Sequence, residues 1–222
     1  MTGRRAAQRQ ETETRIRQAA LAVFARMGFA AATMDCIATE AGGTKPTLSS
    51  CFDSKDALFA AVLLAPREDM LLPIAAGQSD AHVTQMHGFA WQYARVVLRA
   101  DYLSLARLVI GKAQKHPEIG AAYQRHGPDL VLAGLTDFMV RHGALGHLRI
   151  NDPELAAEDF WGLILSALRN RALQRPDDLP KPTEVARYIE NGLRVFLRAY
   201  SSAPDSDLGR LSAILRASRE TA

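Results

Sequence analysis

Glycine punctuation near the N-terminus constrains this chain more than any other feature. Gly28 and the pair Gly42-Gly43 cut the stretch Thr12–Pro66 into short segments of helical period. Ile16, Ala19, Ala20, Val23, Phe24 and Met27 recur at spacings of three and four, which predicts one apolar face of a helix over Thr12–Met27. Gly28 supplies its stop. Thr33 is placed to cap a second helix, with Asp35 in its first turn and Met34, Ile37, Ala38 and Ala41 on its buried side. Thr44 caps a third, very short one over Lys45–Cys51, with Pro46 where a missing N–H costs nothing. Ser54 opens a fourth, which Ala57, Leu58, Ala61 and Val62 carry to about Pro66. Two short helices joined closely around glycine meet the requirement of a helix-turn-helix, whose second member enters the DNA major groove.

Beyond Pro66 the rhythm lengthens. Helices are expected at Ala81–Ala100, Tyr102–Lys115, Pro117–Arg141, Pro153–Leu173 and Thr183–Tyr200, with a short tail helix at Ser206–Arg216. No alternating strand pattern interrupts them. The expectation is an all-α protein of about nine or ten helices. Residues 1–60 form a three-helix DNA-binding domain, and residues 61–222 a helical domain for ligand binding and dimerisation.

The stretch from Arg15 to Val62 resembles the N-terminal domain of TetR-family transcriptional repressors. The matching residues are Ala19-Ala20, Phe24, Gly28, Thr33-Met34, Ile37-Ala38, Ala41-Gly42, Thr47-Leu48, Phe52, Ser54-Lys55 and Leu58, in order and without gaps. The later helices resemble the family's effector and dimerisation domain in number and rhythm only. The chain departs from the family at Gly43, where valine is usual, and at Ser49 and Cys51, where aromatic or histidine side chains usually reach DNA.

The resemblance implies roles for particular residues. Thr33 and Lys55 meet backbone phosphates, and Thr44, Lys45, Thr47, Ser49 and Ser50 form the reading face. Leu48 belongs to the core. The plain alternative is that Thr33 and Ser54 only cap helices and Lys55 is solvated. Trp91, Arg95, Arg107, Tyr123, Phe138 and Phe160 are candidates for lining an effector cavity, although an aromatic stripe is more often ordinary core. Phe160, Gly162, Leu163, Leu165, Ser166 and Leu168 on one late helix, with Val185, Ile189, Gly192, Leu193, Phe196 and Leu197 on the next, are candidates for a four-helix dimer interface or for contacts within one chain.

The expected partners are double-stranded operator DNA, a second copy of the chain and an unidentified small-molecule effector. The net charge of +3 is weak evidence for nucleic acid by itself. Arg4, Arg5, Arg9, Arg15 and Arg17 concentrate the basic charge at the N-terminus, either as a phosphate-contacting arm or as a solvated tail. Two cysteines, Cys36 and Cys51, are too few for a disulfide framework, and the start of the chain carries no apolar leader, so a reducing cytoplasm is expected. The longest apolar runs, such as Ala57–Ala65, fall short of the roughly 20 residues of a membrane span. The histidines are scattered along the chain, none in metal-binding helix spacing, and no nucleotide loop or nucleophile motif is present. Neither a metal nor a cofactor nor catalysis is therefore expected. A relative with weakened DNA binding that acts through protein contacts is the nearer rival, and a helical enzyme the more distant one.

Overall fold

The computed structural model describes residues 2–64, 70–75 and 82–220. The helices are α1 (Thr2–Met27), α2 (Met34–Glu40), α3 (Lys45–Cys51), α4 (Lys55–Leu64), α5 (His82–Val97), α6 (Ala100–Ala113), α7 (Pro117–His126), α8 (Pro128–Ala144), α9 (Pro153–Gln174), α10 (Pro182–Tyr200) and α11 (Pro204–Glu220), with a 3-10 turn at Leu72–Ile74. Among the described residues the β structure is a single bridge between Leu148 and Ser201. No helix among them is long and apolar enough to cross a membrane.

Two expectations change. The first helix begins at Thr2 rather than Thr12. The helix expected over Pro117–Arg141 is two, broken at Gly127 with φ −123° and ψ −92°. The cause is Pro128, which has no N–H to donate and bars the preceding residue from the helical region.

The chain divides into two compact units, Met1–Arg67 with Arg99–Pro128, and Glu68–Leu98 with Asp129–Ala222. The first holds α1–α4, α6 and α7. Its core joins Phe24, Ile37, Leu48, Leu58 and Phe59 to Leu105, Val109 and Ile119. Phe24 and Phe59 meet edge to face at 5.4 Å. Tyr102 on α6 donates its hydroxyl to the carbonyl of Val62 on α4, 3.0 Å away, and burial pushes its pKa up.

The second unit is built on α5, α8, α9, α10 and α11 around Met86, Phe89, Leu135, Phe138, Phe160, Leu193, Phe196 and Leu211. Phe160 lies 5.2 Å from Phe196 and 5.9 Å from Phe89. Helices α9 and α10 approach closely at Gly192, where a Cβ would stand 2.6 Å from the carbonyl oxygen of Leu163. Only glycine fits there. Polar side chains also enter this core: His82 and His142 are buried, as is Asp207. Burial pushes the His142 imidazole down to about 4, helped by His82, His147 and Arg141 nearby.

Candidate nucleic-acid interface

The turn between α2 and α3 is made by glycine chemistry. Gly42 takes φ +63°, in the left-handed region. Its N–H reaches the Thr39 carbonyl at 3.0 Å, and the Gly43 N–H reaches that of Ala38 at 2.9 Å, so the last carbonyls of α2 are satisfied. Thr33 caps α2 by accepting from the Cys36 N–H at 3.2 Å, and Thr44 caps α3 by accepting from the Thr47 N–H at 3.4 Å. Pro46 sits in the first turn of α3. Each cap of this kind contributes about 1 kcal/mol.

Helix α3 packs on the core through Leu48, with Cys51 half-buried against the same cluster. Leu48 is 1% exposed in the core, while Lys45, Pro46, Thr47, Ser49 and Ser50 are exposed and Cys51 is half-buried. The segment is thus a short helix presenting a polar face outward. Thr33, Thr44, Lys45, Thr47, Ser49 and Ser50 all lie on exposed surface of the α2–α3 pair. The hydroxyls of Thr44 and Thr47 stand 3.0 Å apart, and Ser50 donates to the Thr47 carbonyl at 2.7 Å. Lys45 pairs with Asp35 on α2 at 2.8 Å, and both side chains are more than half exposed. Such an exposed pair contributes at most about 1 kcal/mol. Sequence reasoning did not single out Asp35 as this partner, since a pair ten positions apart across a turn has no helical spacing to reveal it.

Lys55 is placed differently from the expectation. Its ammonium is surrounded by the carbonyls of Phe29 at 2.7 Å, Ala32 at 2.9 Å and Ala30 at 3.4 Å, and it lies 4.5 Å from the centre of the Phe29 ring. The ammonium is thus engaged within the chain rather than fully solvated. It closes the α1–α2 loop onto the first turn of α4 and so supports the N-terminus of α2, where Thr33 sits. Arg26 adds a second tie, to Glu40 at 2.8 Å. Of the N-terminal arginines, Arg9 is paired with Glu13 at 3.0 Å and Arg17 with the Thr14 hydroxyl at 3.0 Å, while Arg15 is exposed. The side chains of Arg4 and Arg5 lie outside the described residues.

The six cavity candidates do not come together in one unit. Arg107 and Tyr123 belong to the first, Trp91, Arg95, Phe138 and Phe160 to the second. Phe138 and Phe160 are wholly enclosed in the core. Arg95 is exposed and bonded to Gln92 at 3.2 Å. Trp91 is half-buried and donates to His87 at 3.1 Å, and Arg107 donates to Ser104 at 3.1 Å. The dimer candidates on α10 fare likewise. Val185, Ile189, Gly192, Leu193, Phe196 and Leu197 are buried within the chain, and so are Phe160, Leu165 and Leu168 on α9. Gly162, Leu163 and Ser166 remain exposed.

The glycine turn and the two capped helices lie within a stretch that a known family's profile matches. The profile of bacterial regulatory proteins of the tetR family matches residues 16–62. The profile of the C-terminal domain of AefR-like transcriptional repressors matches residues 84–202, more than half of the chain. The chain belongs to the TetR family. It is a transcriptional regulator with a DNA-binding helix-turn-helix. Solved members of the family share its fold. A TetR-family transcriptional regulator from Pseudomonas syringae is 26% identical with a TM-score of 0.61, over 85% of this chain and 96% of that one. The flavonoid-responsive regulator FrrA is 27% identical with a TM-score of 0.65, over 87% and 98%. A TetR regulator from Agrobacterium tumefaciens shows the same fold with a TM-score of 0.70 at 24% identity, over 88% and 98%. No curated protein sequence matches the chain.

Proposed function

We propose that this TetR-family member is a ligand-responsive repressor that binds a palindromic operator as a homodimer and is released by a small-molecule effector. The observation that carries the DNA reading is α3, anchored by Leu48 with Cys51 half-buried beside it and exposed along its polar face. Residues 1–60 supply the DNA contacts and residues 61–222 the effector and dimer functions, in the cytoplasm where DNA is met. Lys45 donates to guanine or phosphate, Thr33 and Thr44 place helix N-termini against phosphates, and Thr47, Ser49 and Ser50 complete the reading face.

Dimerisation falls to the outer faces of α9 and α10, since their inner faces are occupied. Leu155, Leu163 and Val195 are exposed apolar side chains there, with the small residues Gly162, Ser166 and Ala167 beside them. Two such pairs form a four-helix bundle with two-fold symmetry, matching a palindrome with half-sites about one helical turn apart. An effector acts by its differential affinity for DNA-competent and DNA-incompetent dimers. The likeness to a flavonoid-responsive regulator makes planar polyphenols the first class to screen.

The decisive experiment selects random duplexes on the purified protein and measures anisotropy with the winner. The expected result is a palindromic consensus, two chains per duplex and affinity that falls steeply with salt. Leu163→Arg with Val195→Arg should give monomers that lose the palindrome. Absence of any sequence preference would overturn the repressor reading. It would favour a member acting through protein contacts, a reading that the small side chains at Ser49 and Cys51 and the engaged Lys55 support.

A further inference from the structure

Three histidines far apart in sequence gather in the second unit. One ring nitrogen from each of His82, His142 and His147 lies within 4.8 Å of the others, with His82 and His142 buried and His147 half-buried. Backbone geometry brings them together. His82 opens α5, and His142 lies in the last turn of α8. Gly146, at φ +74°, then reverses the chain, so that the His147 N–H bonds back to the His142 carbonyl at 3.0 Å. The Leu148–Ser201 bridge, with the Ser202 N–H on the His147 carbonyl at 3.0 Å, fixes the loop against the end of α10.

The hydrogen bonds assign the tautomers. His82 Nε2 stands 2.8 Å from a carboxylate oxygen of Asp207, which accepts only, so His82 carries its proton on Nε2. Its Nδ1, a lone pair in the neutral ring, is buried with no hydrogen-bond partner. His142 Nε2 faces the Gln85 side-chain oxygen at 3.2 Å, which leaves its Nδ1 bare as well. That Nδ1 stands 3.0 Å from the Nδ1 of His147. A buried nitrogen acceptor without a donor is costly to a fold and calls for an explanation.

We propose that His82, His142 and His147 bind one divalent transition-metal ion of the zinc class through their Nδ1 atoms. Three imidazoles with an open fourth position are a zinc-type ligand set, and imidazole favours zinc, copper or nickel over magnesium or calcium. Asp207 plays the outer part that metal-bound histidines commonly require, holding the far nitrogen and supplying negative charge. It is itself oriented by the Ser201 hydroxyl at 2.6 Å, with Arg210 at 3.7 Å on its other oxygen. Gln85 holds the far nitrogen of His142 by its side-chain oxygen, without a charge. Tetrahedral bonds of about 2.05 Å need nitrogens about 3.3 Å apart, so the His142–His147 pair at 3.0 Å is already near that spacing, and the His82 and His147 rings, inclined by 15°, turn for their lone pairs to converge. His147 moves its proton from Nδ1 to Nε2, and no oxidant or reductant is involved. The ion would join the start of α5 to the end of α8.

The test uses untagged full-length protein, stripped with chelator and dialysed. Titration with Zn(II) should show one ion per chain at micromolar affinity or tighter, and Mg(II) should show none. Co(II) in the same site should give the intense visible bands of tetrahedral coordination. His147→Ala, at a half-buried loop position, should weaken Zn(II) at least tenfold, whereas His116→Ala, exposed and outside the cluster, should not. The proposal is overturned if Zn(II) binds no tighter than about 100 µM, if Co(II) is six-coordinate, or if His147→Ala binds like the parent. These readouts involve no DNA, so they stand or fall apart from the repressor reading.

Discussion

Gly42 and Gly43 are adjacent, yet substitution should move stability in opposite directions. At Gly42 the backbone is left-handed, φ +63°, and no atom lies within 4 Å of an added Cβ. The cost to alanine is purely conformational, about 1–2 kcal/mol. Stiffening the unfolded chain returns roughly 0.4–1 kcal/mol, leaving Gly42→Ala destabilised by roughly 0.5–1 kcal/mol. At Gly43 the backbone is not left-handed, and a Cβ would meet only the Ala38 carbonyl at 3.9 Å. Gly43→Val keeps the gain from the unfolded state, roughly 0.4–1 kcal/mol. Gly43 also borders a small hollow lined by Ile16, Ala38, Ala41 and Leu48 together with Thr12, Arg15, Thr44 and Thr47, which leaves room for the methyls. Net stabilisation of about 1 kcal/mol follows, or about 4–8 °C in Tm for a unit of this size. Differential scanning calorimetry of the two single variants is the assay, because it resolves the unfolding of separate units. A lower Tm for Gly43→Val, or an unchanged or higher one for Gly42→Ala, would refute the division of labour between the two glycines.

Other substitutions probe separate contacts. Gly192→Ala drives a methyl into the Leu163 carbonyl and should cost about 1–3 kcal/mol in chemical denaturation, with α9–α10 disturbed first. Lys55→Met removes the donor from three carbonyls and should cost about 1–3 kcal/mol. If Lys55 acts only as a support, the salt dependence of DNA binding keeps its slope, whereas loss of a phosphate contact lowers that slope by about one. Lys45→Ala should change stability by less than about 0.5 kcal/mol, because its pair with Asp35 is exposed, while weakening DNA binding several-fold in anisotropy.

Much of the first unit was legible in the chain. Thr33, Thr44 and Ser54 are caps by local chemistry, and Leu48 stands alone among polar neighbours, so its burial followed from pattern. The break at Gly127-Pro128 is equally local, but apolar spacing that continues on both sides masks it. Lys55 is another matter. Its three carbonyls belong to a loop more than twenty residues earlier, and no periodicity encodes such a meeting. The histidine cluster was hidden for the same reason, since Gly146 brings two of its members together and α5 the third. The stripe of α10 was correctly seen as apolar, but a stripe does not state whether its neighbour is the same chain or another copy.

The N-terminal unit completes its interior only after the chain has left and come back. Leu105, Val109 and Ile119, from α6 and α7, fill the same core as Phe24 and Leu58. A fragment ending near Arg67 would therefore lack side chains that its own helices require, and would be a poor stand-in for the DNA-reading head. By the same token, a lesion at Leu105, far in sequence from every DNA-facing residue, can silence DNA binding without touching a base or a phosphate.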